Sequence, residues 1–306
     1  MQVEISYGKQ QITLYRTYAL PLVGLSSIPE SAFVGRENTL FAAEIGVDVP
    51  GDNFLAAYTE GDNRDVVATD TMKNFVLRES LSYPGATLEG LLDFLGRRFL
   101  ATYPQMQRLN LSARELPFSA VLTPEGAGFA PSPVLFSRSY ADAACAELSL
   151  DRAGEQVVVS AQRSGRLGLQ LIKITGSSFA NFARDGYTTL EERPDRALFT
   201  FMDLHWRYAD PALALGHDPA RYVAAEQVRD IAAVVFHQFV SLSIQHLVHE
   251  IGQRIFDRFP QLVEISFAAQ NRTWDTAAIS DDGSARAYTD PRPGHGRIGL
   301  TMKRSG

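Results

Sequence analysis

Apolar and polar residues alternate at the start of the chain, with Val3, Ile5 and Tyr7 followed by Ile12 and Leu14. A period of two predicts a strand over residues 2–15, broken or bent near Gly8. Residues 16–38, rich in Pro, Gly and Ser, read as a long loop or arm, and Leu40–Val49 as a second strand. The stretch Val66–Phe75 (VVATDTMKNF) reads as a short strand end that turns at Thr69-Asp70 into a helix reaching about Leu81. Thr69 or Asp70 suits the cap of that helix, because a short oxygen-bearing side chain accepts from the amides a helix start leaves unpaired. Pro84-Gly85 breaks this helix. Leu88, Leu91, Leu92, Leu95 and Phe99 then recur at helical spacing up to Tyr103-Pro104, and strands follow over 108–123 and 133–149.

The same order then returns. Strands are predicted near 154–163, 168–175 and 197–209, then helices over Pro219–Val240 and Leu242–Phe259, and strands near 261–269 and 296–302. Ile244, Leu247, Val248, Ile251 and Ile255 mark the apolar face of the last helix. Val67-Ala68 matches Val223-Ala224, and Tyr103-Pro104-Gln105 matches Phe259-Pro260-Gln261, both at an offset of 156 residues. One offset of about half the chain implies a duplication, with a β-β-α-α-β-β unit in 1–150 and another in 151–306. The class is α+β, a helix pair lying on an antiparallel sheet in each unit. Four strands alone leave exposed edges, which predicts an obligate oligomer that closes a larger barrel between subunits.

Composition narrows the partners. The 306 residues are 45% hydrophobic and 21% charged, with a net charge of -6 and no basic stripe interleaved with aromatics, which argues against nucleic acid. No apolar run approaches a membrane span, and the N-terminus lacks a signal-peptide pattern. The single cysteine, Cys145, excludes an internal disulfide framework, and no metal-ligand cluster or Gly-rich dinucleotide loop is visible. His246 and His249 share a helix face but lack a third ligand. A cytoplasmic location is the expectation.

Several motifs, in order, resemble the urate oxidase family. They are Tyr7-Gly8-Lys9, Val67-Ala68-Thr69-Asp70 with Met72-Lys73-Asn74, Phe179 with Arg184-Asp185-Gly186-Tyr187-Thr188-Thr189-Leu190 and Asp195-Arg196, Ser243-Ile244-Gln245, and Asn271. YRTY (15–18), IPESAFVGR (28–36), DPARYVAAEQVRD (218–230), QNRTWDT (270–276) and TDPRPGHG (289–296) resemble its bacillus-type branch. The resemblance implies a tandem T-fold whose antiparallel sheets carry helix pairs outside and close barrels around a tunnel in a homotetramer. It implies oxidation of urate by molecular oxygen and water to 5-hydroxyisourate and hydrogen peroxide, without metal or organic cofactor.

The residues suit that chemistry. Arg196 supplies a permanently charged planar fork for a ring oxygen and nitrogen. Gln245 offers donor and acceptor on one planar group, Phe179 a stacking face, and Ile244 and Asp70 their backbone amides. Asn271 would hold oxygen or water above the ring. Lys9 with Thr69 forms the expected proton relay, a role in which a lysine needs burial beside another cation such as Arg196. Where many members have Asn-x-His, this chain has Thr273, which can hydrogen-bond Lys9 or a water but cannot act as an imidazole base. By the resemblance, Lys9 and Thr69 come from one subunit and Phe179, Arg196, Gln245 and Asn271 from its neighbour. The rivals are a noncatalytic purine-binding T-fold protein and another T-fold enzyme acting on a pterin or purine. The latter would anchor its ring with a Glu and often use a metal.

Overall fold

The computed structural model describes residues 3–140, 142–272 and 274–304. Among them the chain forms strands β1 (Ser6–Thr17) and β2 (Leu40–Pro50), then helices α1 (Leu55–Thr59), α2 (Thr69–Glu79) and α3 (Leu88–Thr102). Strands β3 (Arg108–Glu115), β4 (Phe118–Glu125), β5 (Gly128–Arg138), β6 (Ala143–Ala153), β7 (Gln156–Phe179) and β8 (Arg193–Tyr208) follow. Helices α4 (Ala225–Gln238) and α5 (Ile244–Arg258) precede β9 (Leu262–Arg272), β10 (Thr276–Ile279), β11 (Arg286–Tyr288) and β12 (His295–Lys303). An eight-stranded antiparallel sheet runs β1-β2-β3-β6-β7-β8-β9-β12, with β4–β5 and β10–β11 as separate hairpins. The α+β class is therefore observed.

The helices cover one face of this sheet. Leu247, Val248, Ile251 and Ile255 of α5 are fully buried, as are Leu91, Leu92, Leu95 and Phe99 of α3. Each such side chain contributes roughly 1.5–3 kcal/mol on leaving water. They meet the inward alternation of the strands, for example Ala43, Ile45, Val47 and Val49 on β2.

Several boundaries differ from the sequence expectation. The span 108–123 is divided at 116–117 into β3 and β4, and 133–149 into β5 and β6, so a hairpin projects from the sheet. The spans 154–163 and 168–175 are one strand, β7, which absorbs Gly168 (φ 72°) in a bulge instead of ending there. Gly8 stays within β1, and the irregularity lies between Lys9 and Ile12, with Gln11 at φ 57°. Gly8 is required for a different reason: a Cβ there would sit 2.0 Å from the Val47 carbonyl oxygen. Val66–Ala68 is not a strand, and α4 begins only at Ala225, because Pro219–Arg221 forms a separate short turn of helix.

The 16–38 arm is ordered. It folds on itself through the Leu22–Arg36 bridge and packs Leu22 and Leu25 against Tyr222 and Ala224. Glu30, Ser31 and Ser26 then fasten it to Arg254 and Arg258, to Asp230, and to the Ala220 carbonyl.

Candidate functional site

The expected site residues fall into two groups. Lys9 lies on β1 opposite Val47, so its half-buried side chain is on the helix-covered face. The start of α2 stands over the same edge, anchored where Tyr7 Oη accepts the Val67 amide at 3.2 Å. The N-cap of α2 is Ala68, with no side-chain cap, so neither Thr69 nor Asp70 caps the helix as expected. An oxygen that bonds the next turn must sit one residue before the helix, and Thr69 is already helical. Its hydroxyl makes no hydrogen bond among the described residues and is half-buried beside the free helix amides. The Asp70 carboxylate is turned along its own helix to Lys73 (2.5 Å) and Asn74 (3.0 Å). Its pKa is held down by Lys73 first, with Lys9 also contributing, which places the Lys9 charge within electrostatic reach. The outward carboxylate leaves the Asp70 backbone amide available.

The second group gathers where β7, β8, β9 and the start of α5 converge. Ser177 pairs with Arg196 on β8 and bridges to Ser241, and the Ser178 amide donates to the Ser241 carbonyl at 2.7 Å. This clamp holds the end of β7, carrying Phe179, beside the entry to α5. Ser243 caps α5 by accepting from the His246 amide, leaving Ile244 and Gln245 as the first helical residues, one buried and one exposed. Asn271 on β9 pairs with Thr200 on β8, four residues beyond Arg196, and all three share the helix-covered face. The serine clamp is the feature that sequence reasoning missed; only the Ser243-Ile244-Gln245 motif lies near it.

Arg196 is the decisive residue. Its guanidinium lies over the Phe179 ring, 5.5 Å from the centroid, and its Nε and Nη2 are buried without a hydrogen-bond partner. The neighbouring carboxylate is no help, because Asp195 accepts from Thr175 Oγ1 and the Gly176 amide, both at 2.7 Å, bracing the bulge in β7. Burial, and then the charge of Arg193, lower the Arg196 pKa, though a guanidinium stays protonated. An orphaned buried donor costs roughly 1–3 kcal/mol. Two on one planar group, beside an aromatic face, suit a flat ligand with adjacent acceptors. Phe182 stacks on Phe179 at 5.1 Å, holding that ring in place.

Within one chain the two groups do not meet. β8 lies five places along the sheet from β1, about 24 Å at the usual ~4.8 Å strand spacing. Arg196 is therefore not the cationic neighbour of Lys9 in its own chain. Thr273 lies outside the described residues. Cys145 is buried, and its thiol pKa is pushed up to about 12, first by burial and then by Glu147, so it is an inert packing residue. His246 packs edge-on against Phe239, and His249 faces Glu250.

Comparison with known proteins turns this geometry into a family assignment. Residues 162–298 match the family profile "Uricase". The uricase of Halalkalicoccus jeotgali is 46% identical over 98% of this chain and 98% of its own length. This chain belongs to the uricase family. The uricase of Haloferax volcanii is 47% identical over 94% of each chain. The crystal structure of urate oxidase from Bacillus sp. TB-90 superposes with a TM-score of 0.95 at 42% identity, covering 98% of this chain and 100% of that one. The T-fold expected from the resemblance is thus the fold observed. No helix among the described residues is long and apolar enough to cross a membrane.

Proposed function

We propose that this chain is a urate oxidase, converting urate, dioxygen and water to 5-hydroxyisourate and hydrogen peroxide. Two electrons and two protons pass from the purine to dioxygen, both atoms of which leave as hydrogen peroxide, and water adds to the oxidised ring, so the oxygen that the product gains comes from water. The observation that carries the reading is the pair of orphaned Arg196 donors above Phe179. Urate is planar, anionic and rich in adjacent ring acceptors. Arg196 holds one edge, Gln245 and the Ile244 backbone the other, and Phe179 stacks on the ring. Asn271 positions dioxygen or water above it. Lys9 and Thr69 take up the substrate proton, with Thr273 or a water as third member, and the Asp70 amide completes the pocket. No metal or organic cofactor takes part in this scheme.

The active unit in this proposal is an oligomer, with Lys9, Thr69 and Asp70 from one copy and the Arg196 group from its neighbour. The sheet ends on β1 and β12, whose union would join copies much as β6 and β7 join the halves of one chain. Closing both edges of two chains makes a barrel around a tunnel, and pairing of barrels makes the homotetramer. Each half, 1–150 and 151–306, is one T-fold unit, working in the cytoplasm. The test is loss of urate absorbance in the ultraviolet, with and without a chelator. Loss in both conditions is expected. No loss would refute urate oxidation, and loss abolished by the chelator would refute the metal-free scheme.

A further inference from the structure

The junction inside the chain repeats the geometry proposed between chains. Arg166 faces Leu204 just before a bulge in β7, as Lys9 faces Val47 just before a bulge in β1. Glu115 pairs with Ala43 as Asn271 pairs with Thr200, which places Thr39 where the other half has Arg196. α4 begins at Ala225-Glu226 after an alanine N-cap, as α2 begins at Thr69-Asp70. α3 begins at Leu88-Glu89 behind the cap Thr87, as α5 begins at Ile244-Gln245 behind Ser243. Lys9, Thr69, Asp70, Arg196, Ile244, Gln245 and Asn271 of the proposed urate site thus have counterparts around the place where β3, β6 and β7 run side by side.

This second place is already occupied. Arg36, at the end of the arm, extends its guanidinium between the two halves. Nη1 donates to Glu226 at 2.7 Å and to Glu115 at 3.2 Å, the counterparts of Asp70 and Asn271. Arg166, the counterpart of Lys9, approaches the same Glu115 at 3.6 Å. Glu89, the counterpart of Gln245, is buried and engaged by Ser164 (2.5 Å) and Tyr222 (3.0 Å). Arg36 Nε is buried without a partner, and a cavity of about 490 Å³ bordered by Thr39, Leu88 and Glu115 lies alongside.

We propose that the junction within the chain is a second, disused ligand site, and that the Arg36 side chain is its built-in occupant. The idea rests on the reading of Arg196, Gln245 and Asn271 as substrate-holding residues. Removing the guanidinium takes from Glu115 and Glu226 the partner they share, and Arg166, which approaches Glu115, also serves Asp142. The vacated place is therefore acidic, and the ligand it takes is a small planar cation rather than a purine anion. One consequence is a single urate site per chain, although the fold supplies two frames.

The test uses Arg36→Ala in the full-length protein and guanidinium chloride at low millimolar concentration, with sodium chloride and urea as controls. Thermal melting and titration calorimetry are expected to show saturable binding, one guanidinium per chain. A rise in melting temperature of roughly 2–4 °C is expected in the variant and none in the parent. No saturable binding, or an equal rise in the parent, would overturn the proposal. If Arg36→Ala does not fold, Arg36→Gln takes its place, and Glu226→Gln added to either is expected to abolish the binding. Urate turnover is followed in parallel. Its absence throughout, with guanidinium binding intact, counts against the proposed function and not against the filled site.

Discussion

At the scale of single residues, what marks this site is polar groups the fold leaves unpaired. Thr69 begins a helix whose cap is the preceding Ala68, so its hydroxyl is not consumed by the backbone. Arg196 is deprived of Asp195 by the bulge that Asp195 braces, leaving two donors for a ligand. Arg196→Lys keeps the charge but removes the fork; kcat/KM for urate is expected to fall about 10²-fold, and Arg196→Gln at least as far. Steady-state absorbance assays on folded protein check this, and a near-normal Arg196→Lys would mean that charge alone suffices. Lys9→Met and Thr69→Ala act on the proton instead, so the loss belongs in kcat, by roughly 10²–10⁴-fold, with KM less affected. Near-normal turnover in both would remove the relay. The motifs named these residues from sequence. Arg36 entered only as the last residue of the stretch 28–36, with no role of its own, because only the folded junction gives it partners.

At the scale of elements, the arm is where sequence and structure part most. Its composition suggests a loose connection, yet Glu30 is gripped by Arg258 (2.8 Å) and Arg254 (2.8 Å) on α5, far along the chain. Hydrogen bonding from Arg258, ahead of every other influence, lowers the Glu30 pKa from 4.5 to about 2. A depressed carboxyl stabilises the fold above its unfolded pKa, and that contribution is lost as pH falls toward the folded value. Glu30→Gln is therefore expected to lower the melting temperature by a few degrees near neutrality. The gap from the parent should close as pH drops from 4.5 to about 2. A constant gap across that range would show that the pair does not hold the arm. By contrast the helices were legible in advance, because α3 and α5 each bury one continuous apolar face at a 3.6-residue period. Strand limits were less so. Alternation continues through the bulges of β7, and the β4–β5 hairpin keeps apolar residues such as Leu122, Phe129 and Val134 although they are exposed, so the pattern alone does not show where a strand leaves the sheet.

At the scale of the molecule, the duplication decides where a complete site can form. In the proposed scheme each half supplies one frame for the proton relay and one for ligand holding, and the sheet order puts the relay frame of one half beside the holding frame of the other. Inside the chain, β6–β7 brings together the holder of the first half and the relay position of the second, and there Ala225 replaces Thr69 while Arg36 fills the space. The proposed relay on β1 and the proposed holder on β8 and β9 are left far apart along the sheet, so in the proposed scheme they meet across a junction between copies. Mixed oligomers of Lys9→Met and Arg196→Gln chains test this directly. Each variant alone should be inactive. With random mixing in equal amounts, half the relays and half the holders are intact, and about a quarter of the junctions unite both, so activity should return to about a quarter of the parent level. Mass spectrometry confirms that the oligomers are mixed. If verified mixed oligomers remain inactive, each site is complete within a single chain, and the division of the site between β1 and β8 must be abandoned.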